Sequence, residues 1–438
     1  MQKGTLLVLK GVKERFGGKI YYGWVIVATM AIANIAQTAE FNPVIGVFLK
    51  PITEEFGWSR AMYAGAITLG SFLGGLVAVV AGPLLDRFGP RKILFAAFLV
   101  LGAVIIGLGL FKTLWQFYIV MSTSRAIVQG VIAISTGVVI SKWFIQKRGR
   151  AIAISTAGTR VGNAIIPLGV QIIISSFGWR VAAIALGAFT WAITLVPIAL
   201  FLRRSPEDIG LLPDGEERHS RSNTRETLDD VNEPTTQKEV SFTPREAMRS
   251  RAFYLVLFAS SAAFFNGAGV NFNMFAYFTD QGIPDDKAII VLTVWSVLGF
   301  FGGMFTGFLT EKIHVRWMMM VVFLLISVGV FVMSLINDLR TAYIFAIVHG
   351  LCFGGMPMLQ QIVWADYFGR ESQGAIRGIV TPIQMLCNAL GPLAATLVFD
   401  NTGSYISIFY VFIIIYIIAA LAMAFARSPQ YKNVSQEE

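Results

Sequence analysis

The stretch GPLLDRFGPR, Gly82 to Arg91, returns 225 residues later as GFLTEKIHVR, Gly307 to Arg316, without a gap. Gly82 falls on Gly307, Leu84 on Leu309, Asp86 on Glu311, Arg87 on Lys312 and Arg91 on Arg316. The same offset carries Gly149 onto Gly374, Asn163 onto Asn388, Pro167-Leu168 onto Pro392-Leu393, and Gly178 onto Gly403. A period of this length, met twice, is too long for a stacked repeat and reads as duplication of a whole bundle.

The duplicated unit is built from apolar runs. Of 438 residues 55% are hydrophobic and only 14% charged, which is the composition of an integral membrane protein. A hydrocarbon core of about 30 Å takes roughly 20 apolar residues per helix. Twelve such runs are read at 22–49, 61–83, 93–111, 115–141, 151–176, 181–202, 251–278, 288–310, 318–336, 341–365, 376–399 and 405–426. The expected fold is therefore all-α and integral to the membrane, with twelve transmembrane helices in two pseudo-symmetric six-helix bundles. The bundles span 22–202 and 251–426, with an N-terminal segment 1–21, a linker 203–250 and a tail 427–438. The linker is rich in charge, Ser, Thr and Pro and reads as disordered in its middle. Its end, Thr243-Pro244-Arg245-Glu246, has the register of a capping box and predicts a short helix.

Orientation follows from the cations. With the N-terminus inside, 27 Lys and Arg fall in cytoplasmic segments and six in exterior loops: Lys50, Arg60, Lys112, Arg180, Lys287 and Arg340. This asymmetry places both termini in the cytoplasm of a multi-pass protein of the cell (plasma or inner) membrane. The formal charge of +9 is then topology and gives no reason to invoke nucleic acid. The start lacks the apolar core and cleavage site of a signal peptide. Cys352 and Cys387 both fall within spans, so disulfides and thiolate metal sites are not expected. There is no phosphate-cradling loop, clustered metal-ligand set or nucleophile–base motif, so neither a cofactor nor enzyme chemistry is expected. The expected partners are a small-molecule substrate, a proton as candidate coupling ion, and the lipid bilayer around a monomer. Duplicated bundles with buried polar residues suggest alternating access, with substrate near the midplane. Fold alone does not select a substrate.

GPLLDRFGPRK, Gly82 to Lys92, resembles the signature loop between helices two and three of the major facilitator superfamily. The resemblance implies a conformational latch made by Gly82, Asp86, Arg87, Gly89 and Arg91, with Glu311, Lys312 and Arg316 in the second half. There His314 replaces the glycine, which implies a weaker latch. The alternative for this loop is charge that sets topology alone. Further pieces resemble bacterial members of the monocarboxylate and oxalate/formate transporter group. They are YYGWVIV opening the first span, EEFGWSR after it, WQFY before the fourth, GWR after the fifth, SPEDIGLLPDG after the sixth and DNTGSY before the last. One departure matters: many of that group carry an arginine in helix eight that is thought to bind the substrate carboxylate. Here Gly303 takes its place, and no charge occurs from Ala288 to Thr310.

An ionised side chain at the bilayer centre costs several kcal/mol unless paired or hydrated. Three lie well inside the spans: Glu40, Arg125 and Arg160. At 1.5 Å rise per residue, Glu40 and Arg125 sit about 6 and 5 Å to the exterior side of the midplane, and Arg160 about 5 Å to the other side. Glu40 and Arg125 thus share a depth; they form either a static ion pair or a protonation switch that couples a proton. RAIVQG, Arg125 to Gly130, resembles a helix-four motif of drug/proton antiporters. Arg160, flanked by Gly158 and Gly162, offers a planar fork to a substrate carboxylate; backbone carbonyls, a buried amide or Glu40 are its alternative partners. Asn163, Asn266, Gln384 and Asn388 complete the expected substrate-binding set, although such residues singly are more often bonds between helices than ligand contacts. His349 reads as a neutral, hydrogen-bonded histidine. The sequence thus points to secondary active transport of a small organic anion of carboxylate type. Its rivals are proton-driven efflux of an amphipathic or cationic compound, and a membrane sensor or scaffold on a transporter fold.

Overall fold

A computed structural model describes residues 21–144, 147–212, 214, 242–310, 312–369 and 373–428. Among these, twelve segments are long and apolar enough to cross a membrane. The described residues form fifteen α-helices, all but the short α9 contributing to these spans: α1 (Gly23–Gln37), α2 (Asn42–Phe56), α3 (Arg60–Phe88), α4 (Pro90–Leu108), α5 (Leu114–Ile127), α6 (Ala133–Trp143), α7 (Arg148–Phe177), α8 (Trp179–Phe201), α9 (Pro244–Arg249), α10 (Arg251–Asp280), α11 (Asp285–Thr310), α12 (Val315–Ser334), α13 (Leu339–Phe368), α14 (Gln373–Thr402) and α15 (Ile406–Phe425). The all-helical, twelve-span expectation holds. The sequence reading falls furthest short on the first span, which runs from Gly23 to Phe56 instead of stopping at 49. Apolarity fades after Leu49, but the helix continues through Pro51, Glu54 and Glu55.

Two of the spans are not regular α-helices throughout. The first changes to a 3₁₀ turn at Thr38–Glu40, and Phe41 is extended (φ −79°, ψ 149°) before α2 begins. Pro43 then sits in the first turn of α2, where its missing N–H costs nothing. The fourth span carries a π-helical stretch at Val128–Ile132 between α5 and α6, an irregularity that tends to mark functional positions in helices. At its start Thr113 and Gln116 form a complete capping box.

The described residues fall into two compact units, and the dividing line crosses three spans. One unit draws on Met1–Phe41, Leu73–Ile166 and Ile173–Pro234. In it α4 packs along α8, α1 along α8 and α6, and α4 against α5. Trp191 lies on Gly102 and donates through Nε1 to the Leu99 carbonyl at 2.9 Å. The other unit draws on Asn42–Phe72, Pro167–Ile172 and Thr235–Glu438. Here α11 packs on α13, α10 on α14 and α15, α12 on α13 and α15, and α2 on α10. Small residues permit the closest approach: a Cβ on Gly354 would come within 1.9 Å of the Gly299 carbonyl oxygen.

The capping box expected at the linker's end is present and starts α9. Thr243 Oγ1 accepts from the Glu246 N–H at 3.4 Å and the Glu246 carboxylate accepts from the Thr243 N–H at 2.8 Å. These bonds hold the Glu246 carboxyl below the usual carboxylate range. The beginning of the linker is ordered, with a 3₁₀ turn at Glu207–Ile209 and the Asp214 carboxylate accepting from the Lys147 N–H at 3.1 Å. Its middle, expected to be disordered, lies outside the described residues.

Candidate functional site

The break in the first span is where the first compact unit places its buried charge. Glu40 ends the 3₁₀ turn and is 4% exposed; Arg125, near the end of α5, is 4% exposed as well. Bringing the 3₁₀ turn to an end at an extended Phe41 frees backbone carbonyls from the helical ladder, and in a membrane such groups need another donor. Arg125 supplies it: its Nη1 donates to the Glu40 backbone carbonyl. The same guanidinium and the Ser124 hydroxyl act on the Glu40 side chain. Glu40 Oε2 is nonetheless buried with no hydrogen-bond partner among the described residues. The structure therefore brings Glu40 to Arg125. Ser124 was missed in the sequence because a serine beside an arginine in an apolar run carries no distinguishing signal.

Around this break the first unit is cross-linked by amides and hydroxyls. Asn34 Nδ2 donates to the Ser155 carbonyl at 2.9 Å, while Asn34 Oδ1 accepts from Gln37 Nε2 at 2.7 Å and Thr136 Oγ1 at 3.0 Å. The string ties α1 to α6 and α7, one turn from Glu40. Gly158 and Gly162 bring α7 hard against α1: a Cβ on Gly158 would lie 2.2 Å from the Ala31 carbonyl oxygen, and one on Gly162 2.3 Å from Thr38 Oγ1. Arg160 sits between those two glycines and is half-buried, as is Asn163 one turn further on.

In the second unit the remaining expected residues separate by role. Asn266 is fully buried, and its Nδ2 donates to the Phe412 carbonyl at 3.0 Å, a bond that ties α10 to α15. Gln384 is buried and Asn388 half-buried, four residues apart on α14. Sequence reasoning passed over Ser260, whose hydroxyl oxygen is buried without a partner among the described residues, as are Gln360 Oε1 and Trp364 Nε1. Gln360 Nε2 reaches the Ser260 carbonyl at 3.5 Å, so these groups of α10 and α13 face one another. His349 is hydrogen-bonded: Nδ1 accepts from Trp295 Nε1 at 2.9 Å, in a stack with Phe345 and Phe353.

The loop residues are placed as follows. Gly89 has φ +80°, a conformation only glycine adopts without strain, and turns α3 into α4. Arg87 is exposed; Arg91 is exposed and close to Arg203 and Tyr22. Lys312 is exposed, while Arg316 donates through Nε to the Met423 carbonyl at 3.1 Å and through Nη2 to the Ala424 carbonyl, capping the end of α15. The surroundings of Gly82 and Asp86, and the whole of Glu311, lie outside the described residues.

The sequence profile described as Major Facilitator Superfamily matches residues 25–302 and 260–438. The chain belongs to that superfamily. Membership makes this a multi-pass secondary transporter of a small molecule and not an enzyme. Among superfamily members of similar sequence are monocarboxylate transporter 2 of Homo sapiens, 23% identical over 88% of this chain and 81% of the relative. Monocarboxylate transporter 4 of Rattus norvegicus is also 23% identical, over 91% of this chain and 81% of the relative. Among solved structures, a bacterial homolog of the human lysosomal transporter Spinster, inward-facing and unoccupied, superposes with a TM-score of 0.70. It covers 93% of this chain and 96% of its own at 16% identity. Its occupied, inward-facing form gives 0.71. At that identity the likeness is one of fold.

Proposed function

We propose that this superfamily member carries a small organic anion of carboxylate type across the cell membrane by alternating access, coupled to a proton. Both termini face the cytoplasm and the transporter works as a monomer. The observation that carries this reading is the buried Glu40 at the break of the first span, with one carboxylate oxygen unpartnered and Arg125 bound to its own backbone carbonyl. Burial favours the neutral carboxyl and the guanidinium favours the ionised one. Any movement at the break that changes the distance between them changes the carboxyl's affinity for a proton. The hinge and the titrating group are thus the same residue, which is how a conformational cycle is coupled to protonation.

Arg160 is the anion anchor in this reading. Its fork suits a carboxylate, the flanking glycines hold its helix close to α1, and relatives named as monocarboxylate transporters favour a substrate of that charge. Asn163 lies on the same helix, and Asn266, Gln384 and Asn388 remain the candidate substrate-binding residues of the second repeat. The loop from Gly82 to Lys92, with Lys312 and Arg316 in the second half, acts as the cytoplasmic latch. The test is a thermal-shift panel of short carboxylates against cationic amphiphiles, on the wild type and on Arg160→Ala. Carboxylates are expected to stabilise the wild type alone. A carboxylate response that survives in Arg160→Ala removes Arg160 from the anchor role, and a response to cations alone replaces the anion reading with efflux of a cationic compound.

A further inference from the structure

Three buried polar side chains of the second compact unit meet on the seam between α10 and α13. Phe253, Ser260 and Gly267 share one face of α10, and Trp364, Gln360 and Phe353 answer them in reverse order on α13. The Phe253 and Trp364 ring centroids are 5.6 Å apart, Gln360 Nε2 reaches the Ser260 carbonyl at 3.5 Å, and a Cβ on Gly267 would lie 2.8 Å from Phe353 Cε2. Ser260 is fully buried, Trp364 is 2% exposed and Gln360 7%. Ser260 Oγ, Gln360 Oε1 and Trp364 Nε1 nonetheless have no hydrogen-bond partner among the described residues.

Such groups are paired elsewhere in the chain. Buried hydroxyls turn back onto their own helix: Ser135 donates to the Val131 carbonyl at 2.6 Å, Thr190 to Leu186 at 2.9 Å and Thr396 to Pro392 at 3.0 Å. The buried indoles of Trp143 and Trp295 donate to the Arg203 carbonyl at 3.4 Å and to His349 Nδ1 at 2.9 Å. An unpaired buried polar group costs free energy, and lipid supplies no water to relieve it. Three on one seam therefore call for a partner in common. Toward the α9 end the seam is closed by aromatic rings, with Phe368 5.9 Å from both Phe253 and Trp364 and 6.2 Å from Phe242. Phe242 is itself tied down by its N–H, which donates to the Phe368 carbonyl at 3.0 Å.

The free atoms define what fits. Gln360 Oε1 only accepts, Trp364 Nε1 only donates and Ser260 Oγ does both, and none of the three side chains is charged. A carboxylate would leave Gln360 Oε1 unmet, and an ammonium would leave Trp364 Nε1 unmet. A neutral group that both donates and accepts, a hydroxyl or a primary carboxamide, meets all three. We propose that Ser260, Gln360 and Trp364 form a subsite for such a neutral substituent of the transported solute, shut here under the aromatic rings and occupied when solute binds. The subsite takes no part of the solute's charge, so it rests on small-molecule transport and not on the anion reading. A trapped water has the same bonding capacity, and the experiment separates the two.

The test titrates purified full-length protein, by thermal shift, with butyrate and butylamine, each compared with its terminally hydroxylated form, and with butyrate's terminally amidated counterpart, succinamate. In whichever charge class binds, the hydroxylated or amidated member is expected to bind about tenfold or more tightly than the methyl-ended one. In Gln360→Leu and Trp364→Phe this preference is expected to fall to within about two-fold, with binding of the methyl-ended member retained. Ser260→Ala deletes an unpaired hydroxyl and no bond. It is expected to melt no lower than wild type without ligand and to lose part of the preference, which keeps the proposal testable should the other two variants fail to fold. A hydroxyl preference confined to the amines supports the subsite while removing the anion reading. Equal binding of paired members by wild type, or no binding by any hydroxylated or amidated member, overturns the subsite. So does a preference that persists in every folded variant, since the three atoms would then hold a trapped water only.

Discussion

Arg125 and Glu40 illustrate how one residue can serve structure and chemistry by different atoms. The guanidinium is bonded to the Glu40 backbone carbonyl, so replacing the carboxyl by an amide leaves that bond in place, whereas replacing the arginine removes it. Glu40→Gln is therefore expected to lose less stability than Arg125→Ala, since the bond from Arg125 to the backbone carbonyl is kept. Arg125→Ala leaves a buried carboxylate and a buried carbonyl without their donor, and is expected to lose about 3–5 kcal/mol. Thermal melts of the two purified variants in one detergent check the order; equal losses would show that the side-chain pair, not the backbone bond, holds the break.

At the scale of elements, the first span is a discontinuous helix whose two pieces belong to different compact units, with the change at Phe41 and Asn42. The part of it that faces α7 is held by glycine contacts, and Gly158→Ala is expected to cost about 1–3 kcal/mol by driving a Cβ into the Ala31 carbonyl oxygen. A melting temperature unchanged from wild type would mean that α7 and α1 are free to move apart there. Much of this was legible. Shared depth suggested the Glu40 and Arg125 neighbourhood, and Thr243 with Glu246 announced α9. The manner of the contact was not legible, because depth along a helix says nothing about which atom of a residue faces its neighbour. The π-helical stretch at Val128–Ile132 left no trace either, since it inserts a residue into a turn without changing the apolar pattern.

For the whole molecule, composition and a 225-residue repeat were enough to reach twelve helices, because lipid admits few other solutions. The pairing of Arg60 with Asp280 was beyond sequence reading. Arg60 and Asp280 are 220 positions apart, both sit where charge is expected at a helix end, and neither violates any local pattern. The central claim is that protonation of Glu40 drives accumulation of an organic anion. Its most direct test is uptake of labelled short carboxylates into proteoliposomes under an imposed pH gradient, comparing wild type with Glu40→Gln. Wild type is expected to accumulate substrate above equilibrium, and Glu40→Gln only to equilibrate or exchange it. Full gradient-driven accumulation by Glu40→Gln would contradict it.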